Sequence, residues 1–201
     1  MRVSLVASLG TARESMHVDV GFGDAMTPGP SPIRFPTLLD SMDAPELLAY
    51  NDETTIAEKF ETMIRRGLVN SRMKDFYDLS RFARTVPFNG ELLCLAVRHT
   101  FERRGTAFTI QPVVFTDGFA GDAGKATQWR AFRRSLGVAS VEAPERFSEA
   151  VAVVRALMEP VHDACREDRL LAGQWDPSAG LWDDSRIEPE NSDLDSRQSR
   201  K

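Results

Sequence analysis

The chain has 201 residues, of which 42% are hydrophobic and 27% are charged, the usual balance of a globular protein with its own core. Its formal net charge of −5 excludes a uniformly basic nucleic-acid-binding protein but not a local basic patch. The sequence contains no apolar run of the roughly 20 residues that a membrane span needs, and no secretory signal pattern at its start. Cys94 and Cys165 have no metal-ligand neighbours, so we expect free thiols in a reducing cytoplasm.

The first fifty residues follow the period of β-strands. Residues 3–9 and 16–22 alternate between apolar and polar positions, and Gly10-Thr11 between them predicts the turn of an antiparallel hairpin. A hairpin alone is marginally stable in water, so we expect this one to belong to a larger sheet. Four prolines between residues 28 and 36 then predict an extended loop, and residues 46–50 predict one more short strand.

From residue 51 the apolar positions recur at helical spacing. We predict five helices, approximately over residues 51–67, 70–84, 89–105, 122–136 and 144–166. Pro160 is expected to kink or end the last of them. Acidic and small polar residues dominate after residue 168, and we predict disorder over 185–201. The sequence therefore predicts an α+β fold, with a hairpin followed by a helical bundle.

One candidate site residue, Asp19, lies within the second predicted strand. Aspartate is uncommon there because its side chain competes for backbone hydrogen bonds. Phosphoryl-transfer enzymes do place carboxylates on strands, where they hold Mg²⁺ against a triphosphate. The pattern alone favours a simpler interpretation, an exposed acid on the polar face of a hairpin.

Three further candidates lie on the predicted helices. Asp75 and Asp78 are three residues apart, so both project from one helix face. They could organise a metal, an attacking hydroxyl or a proton transfer, but the pattern alone favours a solvated, salt-bridged face. Lys59 lies at the edge of the apolar stripe of the preceding helix, where a lysine can either extend to water or reach a triphosphate.

Other polar residues give weaker signals. Arg130, Arg133 and Arg134, with Lys125 upstream, make one helix locally basic, as either a solvated face or a contact for an RNA backbone. His17 and His99 have no partners at ligand spacing, and we expect structural roles for both.

Several segments, taken in order, resemble the AbiEii/AbiGii family of nucleotidyltransferase toxins. They are HVDVGFGD at residues 17–24, TPGP at 27–30, PTLLD at 36–40, LAY at 48–50, IAEKFE at 56–61, NSRMKDFYDL at 70–79 and FERRGT at 101–106. The resemblance covers about residues 3–160. An ordered set of motifs is far more specific than any one of them.

The resemblance implies a polymerase-beta-like nucleotidyltransferase that uses Mg²⁺ to move a nucleotide from an NTP to an acceptor, which is tRNA in related toxins. It also implies a cognate antitoxin, often a winged-helix repressor. Asp19 is similar to the later strand carboxylate of the fold and is the candidate metal ligand. Lys59 matches the family's functional, nucleotide-binding lysine. Asp75 and Asp78 match the acids of its KDxxD helix, near the nucleotide or the acceptor.

The sequence departs from the superfamily in its first motif, a Gly-Gly or Gly-Ser turn followed by Asp-x-Asp on a strand. The glycines let backbone N–H groups approach phosphate, and the acids hold metal ions. His17 stands where the first acid of such a pair would be, and imidazole is a poor magnesium ligand. We therefore expect an N-terminally truncated enzyme that is inactive or incomplete as written.

The resulting domain prediction has three parts. Residues 1–50 are the C-terminal remainder of the catalytic domain, 51–166 a helical domain and 167–201 an acidic, disordered tail. The alternative to an enzyme of a toxin–antitoxin or abortive-infection system is a non-catalytic module that binds an antitoxin or RNA. An unrelated helical adaptor is the least favoured interpretation.

Overall fold

The computed structural model describes residues 1–23, 25–39 and 41–183. The strands in this part of the chain are β1 Arg2–Leu9, β2 Ala12–Asp19, β3 Ser31–Arg34, β4 Glu46–Ala49, β5 Phe88–Asn89, β6 Gln174–Asp176 and β7 Leu181–Asp183. The α-helices are α1 Asp52–Arg66, α2 Met73–Thr85, α3 Gly90–Arg104, α4 Asp117–Ala120, α5 Ala123–Ser135 and α6 Phe147–Arg166. The fold is α+β, as the sequence predicts.

The first predicted hairpin is present and exposed. β1 pairs with β2 in antiparallel register, so that Val3 lies opposite Val18 and Leu5 opposite Met16. Directly opposed residues lie on the same face of a ladder, and these four form the predicted apolar stripe. Each is between 41% and 51% exposed. Within the part of the chain that the structure describes, no third strand extends this hairpin.

The proline-rich region contains a second hairpin, β3 with β4. Its strand β4 confirms the strand predicted over residues 46–50, whereas β3 lies where the prolines predicted only extended loop. Pro32 lies within β3, opposite Leu48. A two-stranded ribbon tolerates proline because each strand has one edge that needs no N–H donor.

The loop between the two hairpins is fixed to the helices by side chains. Asn51 Nδ2 donates to the Gly29 carbonyl oxygen over 2.9 Å. The Thr27 backbone N–H donates to Thr54 Oγ1 over 3.0 Å, and Thr27 Oγ1 lies 2.7 Å from His99 Nδ1. These contacts hold the loop against α1 and α3, and they give His99 a structural role.

Helix ends follow the capping signals in the sequence. Asn51 and Asn89 precede α1 and α3, and their side chains accept backbone N–H groups of the first turn, as N-caps do. Gly67 and Gly105 follow the same two helices with φ of 50° and 64°, the left-handed region that favours glycine. The helix predicted from about residue 70 begins at Met73 instead.

Pro160 does not end α6, which continues through it to Arg166. A proline cannot donate to the carbonyl four residues earlier, so it weakens the hydrogen bonding of the preceding turn. In that turn, the Leu157 carbonyl accepts a hydrogen bond of 3.0 Å from Trp182 Nε1. The segment after the helix is thus held against the turn that precedes the proline.

Residues 167–183, predicted as part of an acidic, disordered tail, contain two strands. β6 pairs with β5 and with β7, giving a three-stranded sheet beside the helices. Trp175 is 1% exposed, and its indole donates to the Ala83 carbonyl over 2.6 Å. Two tryptophans are sufficient to fix an otherwise polar segment, because each buries a large apolar ring and satisfies its N–H. The disorder predicted over 185–201 lies outside the described residues.

One hydrophobic core runs through the helices. α1 packs against α3 and α2, and α6 packs against α2 and α3. The largest fully buried side chains are aromatic, namely Trp129, Trp175, Phe60, Phe76, Phe88, Phe101, Phe119 and Phe147. Cys94 and Cys165 are buried free thiols in this core. No helix in the described ranges is both long enough and apolar enough to cross a membrane.

A buried carboxylate, Glu61, joins α1 to α3 and to the loop after it. Its side chain is 0% exposed and accepts hydrogen bonds from Arg65 at 2.9 Å, Arg104 at 2.7 Å and Thr106 at 2.6 Å. Burial alone would raise the pKa of Glu61, but the hydrogen bonds from Thr106 and Arg104 and the charges of both arginines lower it below its ordinary value. The ionised form therefore stabilises the fold.

We predict that Glu61→Gln lowers the free energy of unfolding at neutral pH by about 2 kcal/mol, because two arginines lose their charged partner. The folded-state pKa lies below the ordinary value of 4.5. The stabilisation is therefore present above pH 4.5 and is lost as the pH falls through the folded-state pKa. Denaturant titrations should show wild type and variant converging in acid, with the exposed Glu14→Gln as control. A difference that stays constant into acid would contradict the prediction.

His162 of α6 is buried among aromatic rings. It is 0% exposed, and the rings of Phe60, Phe108 and Phe115 lie 6.1, 5.5 and 6.5 Å away between centroids. Its Nδ1 is 3.6 Å from Asp163 Oδ1, too far for a hydrogen bond. Neither ring nitrogen has a hydrogen-bond partner among the residues described. Burial lowers the pKa of His162 more than the Asp163 carboxylate raises it.

We predict that wild-type stability declines as the pH falls below the ordinary histidine pKa of 6.5, because the unfolded chain then binds a proton that folded His162 rejects. The slope is limited to about 1.4 kcal/mol per pH unit. His162→Leu should reduce this slope in urea titrations between about pH 7.5 and 5, whereas the exposed His17→Leu should retain it. Equal slopes in wild type and His162→Leu would contradict a neutral, buried imidazole.

Candidate functional site

The lysine and the two helical aspartates singled out by the sequence meet in the structure. Lys59 Nζ of α1 lies 2.6 Å from Asp78 Oδ2 and 3.6 Å from Asp75 Oδ1 of α2. Lys74 Nζ also donates to Asp78 Oδ2, over 2.7 Å. The side chains of Lys59, Asp75 and Asp78 are 22%, 4% and 16% exposed. The group is therefore mostly buried, with limited access to solvent.

The local sequence explains why these three side chains converge. Phe60 is 0% exposed and anchors α1 in the core, so the residue before it emerges at the side of the helix that faces α2. The i, i+3 spacing places Asp75 and Asp78 on one face of α2. Packing of α1 against α2 then brings that face to Lys59.

Asp75 retains hydrogen-bonding capacity. Arg72 Nε lies 2.7 Å from Asp75 Oδ2 as an ion pair, yet its N–H is not aligned as a hydrogen bond, and no donor in the described ranges bonds this buried oxygen. A buried carboxylate oxygen without a hydrogen bond costs free energy. The same oxygen is able to accept a hydrogen bond from a ligand.

A cleft of about 460 Å³ lies beside these residues. Its lining consists of Tyr50, Thr55, Glu58, Lys59, Thr62, Arg65, Arg72, Asp75 and Arg104. Four of these side chains are cationic, two are acidic and three carry hydroxyls. The volume falls within the range of small-molecule sites, and guanidinium, ammonium and hydroxyl groups are the donors that phosphate oxygens accept.

The cations of the cleft are already held by carboxylates. Arg104 lies 3.1 Å from Glu58 Oε1 and 2.7 Å from Glu61 Oε2. Arg65 pairs with Glu61 over 2.9 Å, in addition to the pair between Arg72 and Asp75. An anionic ligand would therefore exchange one set of ion pairs for another. The existing pairs fix the positions of the guanidinium groups before any ligand arrives.

Asp19 is not among the residues that line this cleft. It ends β2, whereas the sequence placed it within a strand. Arg2 Nε and Nη2 donate to its two carboxylate oxygens over 2.6 and 2.7 Å, and this guanidinium lowers the pKa of Asp19 below its ordinary value. The structure thus groups Lys59 with the helical aspartates but not with Asp19.

The described side chains do not fit a magnesium site. Mg²⁺ prefers octahedral oxygen ligands that include one or two carboxylates. Arg2 occupies both oxygens of Asp19, and Asp75 and Asp78 are surrounded by cations that repel a metal ion. Within residues 1–23, 25–39 and 41–183, no three His, Cys, Asp or Glu side chains are grouped to hold a metal. Without a metal ion, these acids and the cations around them can contribute charge, hydrogen bonds and the positioning of a ligand.

Three arginines of the cleft were not singled out by the sequence. Arg72 and Arg104 lie inside segments that carry the family resemblance, NSRMKDFYDL and FERRGT. Arg65 follows Glu61 by four residues, the spacing of an ion pair on a helix. These signals were present, but nothing along the chain indicates that the three arginines face one cleft.

Comparison with known protein families gives a match over most of the chain. Residues 1–153 match the family described as "Nucleotidyl transferase AbiEii toxin, Type IV TA system". The matched region includes both hairpins, α1 to α5 and all the residues of the cleft. No curated protein and no solved structure matches the chain. Since the family match spans well over half of the sequence, the chain belongs to the AbiEii family of nucleotidyltransferase toxins of type IV toxin–antitoxin systems.

Proposed function

We propose that the Lys59 cleft binds the triphosphate of an NTP and that the nucleotide is transferred to an RNA acceptor such as tRNA, in the cytoplasm. One observation carries this proposal. Lys59 of α1 converges with Asp75 and Asp78 of α2 beside a cleft lined by four cations. The family match supplies the reaction class. The cognate antitoxin that the family implies is proposed to be of the winged-helix repressor type.

Lys59 is suited to contact a phosphate. Its ammonium is a compact charge on a flexible stem, and Asp78 and Asp75 hold it at 2.6 and 3.6 Å. During nucleotide transfer, negative charge is distributed over the oxygens of the reacting phosphate, and fixed positive groups stabilise it. Arg72 and Arg104, on other walls of the same cleft, add charge for the remaining phosphates.

Asp75 is suited to act on the acceptor. In the transfer, the acceptor hydroxyl oxygen bonds to the α-phosphorus, pyrophosphate leaves, and the hydroxyl proton passes to a base. Asp75 Oδ2 is buried beside the cleft and has no hydrogen bond in the described part of the chain. We assign it to orient that hydroxyl and accept its proton, the geometric requirement of a general base.

The magnesium ion expected from the resemblance has no ligand set among the described residues. Asp19 as its ligand remains a prediction, and so does the inactivity expected from the sequence. Mg²⁺ usually enters such sites in part through the phosphates of its substrate. The Lys59, Asp75 and Arg72 contacts are argued independently of the metal.

One observation favours the second candidate function, a non-catalytic module that binds an antitoxin. The stripe of Val3, Leu5, Met16 and Val18 is 41–51% exposed, and no further strand in the described part of the chain pairs with the ribbon that carries it. Exposed apolar strands of this kind are typical sites of association with another chain.

We predict that the chain binds a nucleoside triphosphate and that Lys59→Ala raises the Kd at least about tenfold, the effect of losing one charged contact of roughly 1.4 kcal/mol. Equilibrium dialysis with labelled ATP and GTP measures this without requiring catalysis. Arg66→Ala is the matched control, because Arg66 is an exposed cation of the same helix outside the cleft lining. An unchanged Kd in Lys59→Ala would contradict the site.

The transfer reaction needs a separate test. The purified chain is incubated with Mg²⁺, labelled NTPs and total tRNA, beside Asp75→Asn and Asp19→Ala. Because His17 stands where the first acid of an Asp-x-Asp pair would be, we expect little labelling by the chain alone. Triphosphate binding without labelling would agree with an inactive enzyme, and absence of both would favour the non-catalytic module. Labelling that survives Asp75→Asn undiminished would contradict its role as the base.

A further inference from the structure

A second cationic surface lies on α5, outside the Lys59 cleft. Arg130 Nη2 donates to Thr127 Oγ1 over 3.1 Å, and Arg133 reaches the carbonyl oxygens of Ser140 and Glu145 over 3.3 and 3.5 Å. Arg134 is exposed. Among the described residues, none of these three arginines forms an ion pair with a carboxylate. Most other arginines of the helical region do, namely Arg65, Arg72, Arg81, Arg98, Arg104, Arg146, Arg155, Arg166 and Arg169.

The three arginines border continuous grooves. One groove of about 300 Å³ is lined by Arg130, Arg133, Arg134 and Ser140, without a carboxylate. A second, of about 400 Å³, shares Arg130 and Arg133 with it and adds Arg146. Glu145 is the acidic residue in the lining of this second groove. Neither groove shares a lining residue with the Lys59 cleft.

Helical spacing places the three guanidinium groups on one side of α5. Residues three and four apart have Cβ atoms about 5–6 Å apart. The helix packs on the core through Trp129, which is 0% exposed and lies about 100° around the helix from Arg130. Lys125, which the sequence grouped with the arginines, is buried, and its Nζ donates to the carbonyl oxygens of Leu68 and Asn70 over 2.7 and 2.8 Å. Lys125 therefore belongs to the interior, and the cations of α5 that remain exposed or partly exposed are the three arginines.

This arrangement is costly unless a ligand compensates for it. Like charges at i, i+4 destabilise a helix by a few tenths of a kcal/mol, and Arg133 Nε is a buried donor without a hydrogen bond in the described chain. The protein has more acids than bases, yet it places none of the described acids in ion pairs with this face. An extended anion would satisfy all three guanidinium groups together, whereas one phosphate would leave charge unmatched.

We propose that the outer face of α5, with Arg146 at its edge, binds the phosphodiester backbone of an RNA. Each strand of double-stranded DNA presents a phosphate about every 3.4 Å of axis, and RNA likewise carries one phosphate per nucleotide, so one strand can contact several guanidinium groups along the helix. Such contacts position a nucleic acid without reading its sequence. The arginines are the reason for proposing a phosphate backbone as the ligand. That this backbone belongs to an RNA rests on the proposed function, the transfer of a nucleotide to an RNA acceptor.

The test is RNA binding by the full chain in the absence of NTP and Mg²⁺. Fluorescence anisotropy with labelled tRNA is followed between about 50 and 200 mM salt. The variant Arg130→Glu/Arg134→Glu is compared with Arg13→Glu/Arg66→Glu, which makes the same change in net charge at exposed arginines elsewhere. Arg130→Gln/Arg134→Gln provides a milder version, and thermal unfolding verifies that each variant is folded.

The expected result is that the α5 variant weakens tRNA binding at least tenfold, with the slope of log K against log salt reduced by about two. The control should change the affinity less than threefold. Equal weakening by both double variants, or no tRNA binding by wild type at low salt, would overturn the proposal. It would also be overturned if the α5 variant weakened ATP binding as much as tRNA binding, since the face would then be a small-phosphate site. Failure of the nucleotide-transfer reaction would not change this measurement, because RNA binding is measured without NTP and Mg²⁺.

Discussion

Three consecutive residues of α1 connect the core of the helical domain to its candidate site. Phe60 is fully buried, Lys59 contacts Asp78 of α2 over 2.6 Å, and Glu61 contacts Arg104 of α3 over 2.7 Å. A helix turns by about 100° per residue, so neighbouring side chains leave in three directions. The packing of Phe60 therefore fixes where both charged neighbours point. The orientation of α1 in the core therefore also sets the geometry of the cleft.

The same charges serve the fold and the site. Arg104 holds the buried Glu61 and also lines the cleft, and Arg72 forms an ion pair with Asp75 Oδ2, a buried oxygen that receives no hydrogen bond from the described residues. The free energy spent on burying these groups is partly returned by their ion pairs, and a bound triphosphate would rearrange those pairs. Ligand binding and stability should therefore be coupled, because substitution of a cleft arginine also removes a partner from a buried acid.

The two cationic surfaces differ in how their charges are compensated. In the Lys59 cleft every cation has a carboxylate partner, which holds the side chains in place and suits a small ligand of defined shape. On α5, Arg130 and Arg134 have no carboxylate partner within the described ranges and are exposed. Exposed charge without carboxylate partners suits a polymer whose phosphates can be contacted in several registers. A transferase that handles an NTP and an RNA would need both kinds of surface.

The sequence by itself determined the α+β class, the first hairpin, most helix ends and the shared face of Asp75 and Asp78. These features depend on alternation, capping and i, i+3 spacing, which are properties of neighbours along the chain. Only the tertiary structure decided that Lys59 meets Asp78, that Arg104 reaches Glu61, and that Trp175 anchors a polar segment. Those contacts join residues far apart in sequence, and they depend on how helices pack, which no local period encodes.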